Sequence, residues 1–301
     1  MTNSLSQAAG ESSVPRRILV VFNPAAGRAR RSRFERIVAA LRGFGCAVTV
    51  VETDAPGHAE TLAREASETD YDVIAVAGGD GTINEAVNGL KGRNLVLGVI
   101  PLGTANVVAD EIRLHRSPAA IARTLAHGPV KPIYVGIANG RRFVMMAGAG
   151  FDANVVSKIS LGLKKVLGPL AYVWGAVRQS FSDPFADRDI VIDGTAYRTV
   201  SMVACNGRRY GGPFVAAPGA SLTENAFHVV LMEGRGWFSV ARYGIGLMLG
   251  RISMWSDVRI IEGRDVKVEG GGPVQADGDI VTNLPVRISM DSEPVKLVYP
   301  V

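Results

Sequence analysis

The stretch Val73-Ile74-Ala75-Val76-Ala77-Gly78-Gly79-Asp80-Gly81-Thr82-Ile83-Asn84-Glu85 joins an apolar run to a glycine turn and then to a helical pattern. Residues 73–77 are continuously apolar over a strand length, the pattern of a parallel strand covered on both faces. Three glycines follow within four residues. Backbone there can approach a ligand with no Cβ in the way and can take positive φ. Thr82 is placed to cap a helix that begins near Ile83, and Glu85, three residues later, completes a capping-box spacing. Backbone N–H groups at such a helix start attract anions. Asp80 is the odd member, because a carboxylate among phosphate-binding amides repels the ligand unless a cation or a transferable proton lies between them. Magnesium bridging is the natural resolution. The plainer alternative is a tight strand-to-helix turn with a capping aspartate.

Two further segments have the same grammar. Residues 17–22 read as a buried strand, and Asn23-Pro24-Ala25-Ala26-Gly27 as a turn leading into Arg28, Arg30, Arg31 and Arg33. Residues 95–100 form a third strand, closed by Pro101-Leu102-Gly103-Thr104-Ala105-Asn106 before a helical pattern through Val107, Val108 and Ile112. In a parallel sheet all three turns lie at carboxyl ends of strands, where open α/β folds bind ligands. They can converge on one nucleotide.

The organisation divides near residue 135. Before it, strands at 17–22, 47–51, 73–77, 95–100 and 131–137 alternate with helical patterns at 31–44, 57–68, 82–91 and 117–127, which predicts a doubly wound α/β domain. After it, short strands at 142–148, 188–193, 197–205, 226–233, 257–262, 265–269, 273–277 and 286–290, with turn signals such as Asp193-Gly194 and Asp277-Gly278, predict an antiparallel β-sandwich. The 301 residues, 47% of them hydrophobic, are ample for two cores. The expected boundaries are a disordered tail at 1–14, the α/β domain at 15–135 and the sandwich at 136–290. Cys46 and Cys205 both sit in apolar runs and read as buried thiols of a reducing compartment. No secretory leader and no uninterrupted membrane-crossing stretch are evident, so a cytoplasmic or peripheral protein is expected. The net charge of +5 favours anionic partners, but no aromatic-rich basic strand or recognition helix speaks for nucleic acid.

Asn23-Pro24 with Gly27, the stretch 78–85 and Pro101-Leu102-Gly103-Thr104-Ala105-Asn106, in this order and spacing, resemble the diacylglycerol kinase catalytic-domain family, which includes bacterial lipid kinases and sphingosine kinases. Further matching motifs are Ala147-Gly148-Ala149-Gly150-Phe151-Asp152, Asn206-Gly207 with Gly211-Gly212, and Gln275-Ala276-Asp277-Gly278-Asp279. The resemblance spans roughly residues 15 to 300. The Gly-Gly-Asp-Gly turn alone also occurs in NAD kinases and phosphofructokinases, whose first domain the fold is expected to resemble. It implies that residues 291–301 return to the first domain.

The resemblance implies transfer of the γ-phosphate of ATP to a lipid hydroxyl, diacylglycerol-like or sphingoid-like, at the inner membrane face. ATP is expected against Gly78, Gly79, Asp80, Gly81, Thr82, Asn84, Glu85, Gly103 and Thr104, with Asn23 and Thr53 near the nucleotide and Asp80 organising Mg²⁺. A carboxylate facing the γ-phosphate must accept the proton of the acceptor hydroxyl. Asp279 is assigned that role with Asp277 as close rival, because bacterial relatives usually carry Glu at the second acidic position. Val107 stands where many relatives have Asp, and Ser221-Leu222-Thr223-Glu224-Asn225-Ala226 where some bind a structural metal, so Glu224 offers at most a weak metal site. Two apolar segments, 159–181 and 237–255, are helix candidates that either cover the sandwich or face lipid, with basic flanks and tryptophans bordering the second. A homodimer is left open. The rivals are an NAD-kinase-like enzyme and a nucleotide-binding, membrane-associated protein that has lost transfer. His58 begins a helix rather than serving catalysis, and neither a zinc site nor a hydrolase triad is indicated.

Overall fold

A computed structural model describes residues 15–26, 28–151 and 185–301. The expected tail at 1–14, Gly27 and the apolar segment 159–181 lie outside the described residues. Strands are numbered along the chain. The first five are β1 (Arg17–Phe22), β2 (Ala47–Glu52), β3 (Val73–Gly78), β4 (Val96–Pro101) and β5 (Val130–Ile133). With the last strand, β20 (Val295–Val298), they form one sheet in the order β2-β1-β3-β4-β20-β5. β3 lies between β1 and β4, parallel to both and buried at every residue, which is why its sequence is apolar without alternation.

The helices are α1 (Arg28–Gly43), α2 (His58–Glu65), α3 (Asp80–Gly89), α4 (Val107–Glu111) and α5 (Pro118–His127). α1 packs beside α5 and α2 beside α3. Right-handed crossovers put α1 and α2 on opposite faces, so the sheet is doubly wound. Strand order reverses between β1 and β3, and at such a switch point the carboxyl ends of the strands leave a crevice. The turns after β1, β3 and β4 all open there.

The second half contains β6 (Gly136–Ala138), β7 (Arg141–Phe143), β8 (Met146–Ala149), β9 (Arg188–Ile192), β10 (Thr195–Thr199), β11 (Ser201–Cys205), β12 (Arg209–Tyr210), β13 (Phe214–Val215) and β14 (Phe227–Met232). A helix, α6 (Gly236–Met248), follows and then β15 (Val258–Gly263), β16 (Asp265–Val268), β17 (Pro273–Ala276), β18 (Asp279–Asn283) and β19 (Val286–Met290). Two antiparallel sheets, β10-β9-β16-β19-β6-β7 and β15-β14-β11-β8-β17-β18, enclose a core of Phe143, Ile190, Met202, Phe227, Leu231, Val266, Val274 and Ile288. The central strands of the second sheet, β8, β11 and β14, are buried on both faces. Met202 and Ala204 point into the sandwich, while Val203 and Cys205 join the core of the α/β domain. Apolar packing therefore runs continuously from one domain into the other.

Two apolar runs that read as single strands, 142–148 and 197–205, each divide between the two sheets. β7 and β8 belong to opposite sheets, as do β10 and β11. At the second break the Thr199 hydroxyl donates to the carbonyls of Ser201 and Met232. The side chain thus occupies acceptors at the point where the chain leaves one sheet for the other.

Candidate active site

Helix α3 begins at Asp80 with Gly79 as its N-cap, three residues before the start expected from the sequence, and no side chain caps it. An acidic residue in the first turn is favourable to the helix dipole. Thr82 lies inside that turn. Its side chain folds back over Gly78, where an added Cβ would come within 2.8 Å of it, and its hydroxyl accepts from Asn23 Nδ2 at 3.0 Å. Asn23 Oδ1 in turn accepts from the Ala25 amide, so one side chain ties the turn after β1 to the turn after β3. Glu85 does not close a capping box either. Its Oε2 accepts from the Ala59 amide in the first turn of α2.

The turn after β4 is held by Asn106, a buried residue in left-handed conformation (φ 50°). Its Oδ1 accepts from the Gly103 amide at 2.7 Å and its Nδ2 donates to the Gly103 carbonyl at 2.8 Å. A Cβ on Gly103 would lie 2.6 Å from the Cα of Gly79, so the two glycine turns touch backbone to backbone. Gly81 is different. It is exposed, and a Cβ there would meet nothing within 4 Å. Thr104 is exposed beside Gly103, and Thr53 is buried at the end of β2 with its amide on the Phe22 carbonyl.

Asp80 Oδ1 accepts from the Val108 amide at 3.2 Å. Burial holds this carboxyl above its ordinary range, and the amides of Val107, Val108, Asp80 and Asn106 pull against that shift. Val107 thus contributes its backbone amide rather than a side-chain ligand. Among the described residues no group of three or more His, Cys, Asp or Glu side chains is arranged to hold a metal. A single carboxylate fits a magnesium held chiefly by phosphate oxygens, not one held in a protein cage. Glu224 is exposed on its turn, and among the described residues it has no ligand group around it.

The acidic hairpin is a two-residue turn in which Asp277 (φ 48°) and Gly278 (φ 89°) both take positive φ between β17 and β18. The Asp277 carboxylate accepts from four donors: Asn84 Nδ2 at 2.7 Å and the amides of Val144, Met145 and Met146 at 2.7, 2.8 and 3.1 Å. Burial raises its proton affinity, and those donors act in the opposite sense. Asp279 is unlike it. It opens β18, is exposed, and has no hydrogen-bond or ion-pair partner among the described residues.

Asn84 sits one turn along α3 from Asp80, about 6 Å along the axis. The acidic hairpin therefore lies against α3 one helical turn from the glycine elbow. Asn84 itself, placed at the nucleotide by the sequence reading, is engaged with the sandwich: its Nδ2 also reaches the Arg142 carbonyl, while Asn88 Oδ1 accepts from the Arg142 amide. Arg142 donates through Nε to Asp291 at 2.6 Å, and both side chains are almost fully buried. The buried Glu111 of α4 makes a second link between the two halves, accepting from Arg208 Nε and from the Arg209 amide. The sequence reading overlooked Asn88, Asn106, Glu111, Arg142 and Asp291 as site-forming residues. The local signals were the Asn84/Asn88 spacing on one helix face and the place of Asn106 at the end of the turn after β4.

A model of the diacylglycerol kinase catalytic domain matches residues 17–138, and one of the YegS C-terminal NAD kinase beta sandwich-like domain matches residues 145–299. The chain is 30% identical over 224 residues to a protein named "Diacylglycerol kinase" in Bacillus subtilis, covering 72% of this chain and 74% of that one. It is 32% identical over 249 residues to a "Probable lipid kinase YegS-like" of Pseudomonas aeruginosa, covering 77% and 81%. A crystal structure titled as a diacylglycerol kinase of Bacillus anthracis superposes with a TM-score of 0.77 over 95% of this chain and 97% of that one, at 24% identity. Both halves of the chain, and not the glycine turn alone, follow one family pattern, and the chain belongs to the diacylglycerol kinase catalytic-domain family.

Proposed function

We propose that this protein is an ATP-dependent lipid kinase that transfers the γ-phosphate to the hydroxyl of a diacylglycerol-like or sphingoid-like lipid at the cytoplasmic face of a membrane. The observation that carries the reading is the hydrogen bond from Asn84 to Asp277, which brings the acidic hairpin within one helical turn of the glycine elbow. The names of the relatives support the choice of a lipid acceptor.

The triphosphate lies against the amides of Gly79, Gly81 and Thr82 and those of Gly103 and Thr104, with Gly81 leaving space that no described residue fills. Phosphoryl transfer depends on alignment and on offsetting charge at the oxygens. Magnesium, when bound with the nucleotide, supplies part of that offset, with Asp80 as its protein ligand. Asp279 accepts the proton of the attacking lipid hydroxyl, because its carboxylate is exposed and uncommitted. Asp277 is a positioning residue. All four of its partners are donors from other elements, so it fixes the corner from which Asp279 projects.

The test is incubation of the purified chain with γ-labelled ATP and a total lipid extract. Label in an organic-extractable product, identified by mass spectrometry, supports the reading. Label confined to a water-soluble dinucleotide indicates an NAD-kinase-like activity, and nucleotide binding without transfer across a broad lipid panel indicates a silent protein.

A further inference from the structure

The described residues leave nine large hydrophobic side chains exposed, and five of them fall within 17 residues: Phe238, Ile245, Met248, Leu249 and Met254. The first three recur at helical spacing on α6, and Leu249 and Met254 continue the patch into the turn that follows. Their exposure, from 55% at Ile245 to 81% at Phe238, does not come from a loose helix. The opposite face is anchored: Tyr243 is buried, its hydroxyl donates to Asp257 at 2.6 Å and accepts from the Gly234 amide at 2.8 Å, and Ile252 joins the core. A concentrated apolar patch on a rigid support marks a contact surface.

Charge says what kind of surface covers it. Residues 234–256 contain three arginines, Arg235, Arg242 and Arg251, and no aspartate or glutamate. Arg242 is stacked over Trp255 and paired with Asp257, and Arg235 pairs with Asp187. Arg251 is exposed beside Leu249, and its side chain has no partner among the described residues. A helix lying with an apolar stripe outward and a cation unpaired among the described residues, Arg251, beside it fits the boundary between acyl chains and anionic headgroups. The patch is linked to the Asp80 turn through a chain of packed elements. α6 packs on β13, β13 pairs with β12, and β12 contacts α4, whose Val108 amide bonds Asp80.

We propose that the outer face of α6 and the turn after it docks this protein on an anionic lipid bilayer, through Phe238, Ile245, Met248, Leu249 and Met254 with Arg251 at the headgroups. The choice of a membrane as partner rests on the lipid-kinase reading, but the test does not require transfer. The full chain is sedimented with vesicles of phosphatidylglycerol and phosphatidylcholine in equal parts, and with phosphatidylcholine alone. Wild type is expected to bind the mixed vesicles more tightly. The double variant Phe238→Ser/Met248→Ser is expected to lose about tenfold or more of that binding. Arg251→Glu is expected to lose about tenfold on the mixed vesicles and nothing on the neutral ones. Both variants should melt like wild type and phosphorylate a short-chain acceptor in solution at the wild-type rate. Folded variants that sediment like wild type overturn the proposal, as does a wild-type dimer in solution that Phe238→Ser/Met248→Ser dissociates, since a second copy then covers the face. Vesicle binding lost in the variants, in a protein that phosphorylates no lipid, supports the docking face and removes the kinase reading instead.

Discussion

Replacing Asp277 by Asn changes one side-chain atom at the corner of the acidic hairpin, and its cost can be worked from the four donors around it. Oδ2 accepts from Asn84 Nδ2 and the Val144 amide, and Oδ1 from the Met145 and Met146 amides. An asparagine amide presents one oxygen and one NH₂ group, so in either orientation two N–H donors face a third donor instead of an acceptor. Leaving two such donors unpaired costs about 2–6 kcal/mol. Removing a buried charge gives back part of this, so a net loss of about 2–4 kcal/mol is expected. Urea unfolding of wild type and Asp277→Asn measures it. The same change frees the hairpin from α3, and a displacement of Asp279 by about 1 Å is enough to lower turnover about a hundredfold. The affinity for ATP, bound by other turns, should hardly move. If Asp277→Asn unfolds within about 0.5 kcal/mol of wild type, the level of an ordinary surface change, Asp277 does not pin the hairpin. If it also keeps its stability while losing turnover, the roles of Asp277 and Asp279 must be exchanged.

Other outcomes follow from the same contacts. Burial holds the Asp80 carboxyl above its ordinary value of 3.8, so the native fold favours its protonated form. That contribution to stability is complete below the unfolded-state value and is lost as pH rises through the folded-state value. Asp80→Asn, neutral throughout, should therefore melt above wild type at neutral pH, with the advantage shrinking toward acid, while transfer is abolished; a variant less stable than wild type at neutral pH contradicts this. Gly81→Ala should fold with wild-type stability, within about 0.5 kcal/mol, yet bind ATP more weakly by titration calorimetry. Gly103→Ala should lower the melting temperature itself, because its Cβ would stand 2.6 Å from Gly79 Cα. Equal melting temperatures for the two would remove the distinction between ligand space and packing space. Asp291→Ala removes the short partner of the buried Arg142 guanidinium and leaves it the longer contact to Glu293 at 3.5 Å, which should cost about 3–5 kcal/mol in urea unfolding, and an unchanged midpoint would show that the pair is dispensable.

The parts of this molecule that were legible in the sequence are those set by local burial. A strand between two neighbours must be apolar at every position, and residues 73–77 announce β3 for that reason. The glycine turns after β3 and β4 were equally plain, since backbone contact between Gly79 and Gly103 tolerates no side chain. The points where two runs switch sheets were not legible, because β8 and β11, buried at every residue, carry no alternation against which the change would show. The start of α3 was misread because Thr82 has the right spacing for a cap, while its hydroxyl serves Asn23 instead. Asp277 and Asp279 look interchangeable in a hairpin corner. They differ through the Asn84 side chain and the amides of Val144, Met145 and Met146, all more than 130 residues away. The Arg142–Asp291 pair spans 149 residues and leaves no local trace at all.

Asp279→Asn, assayed for ATP binding and lipid phosphorylation in the same preparation, tests the central claim most directly. The account predicts wild-type stability, an ATP dissociation constant within about threefold of wild type, and turnover reduced by about a hundredfold to ten-thousandfold, the usual worth of a positioned general base. A well-folded Asp279→Asn that phosphorylates lipid at the wild-type rate would contradict it, because no other uncommitted carboxylate has been assigned to this hairpin.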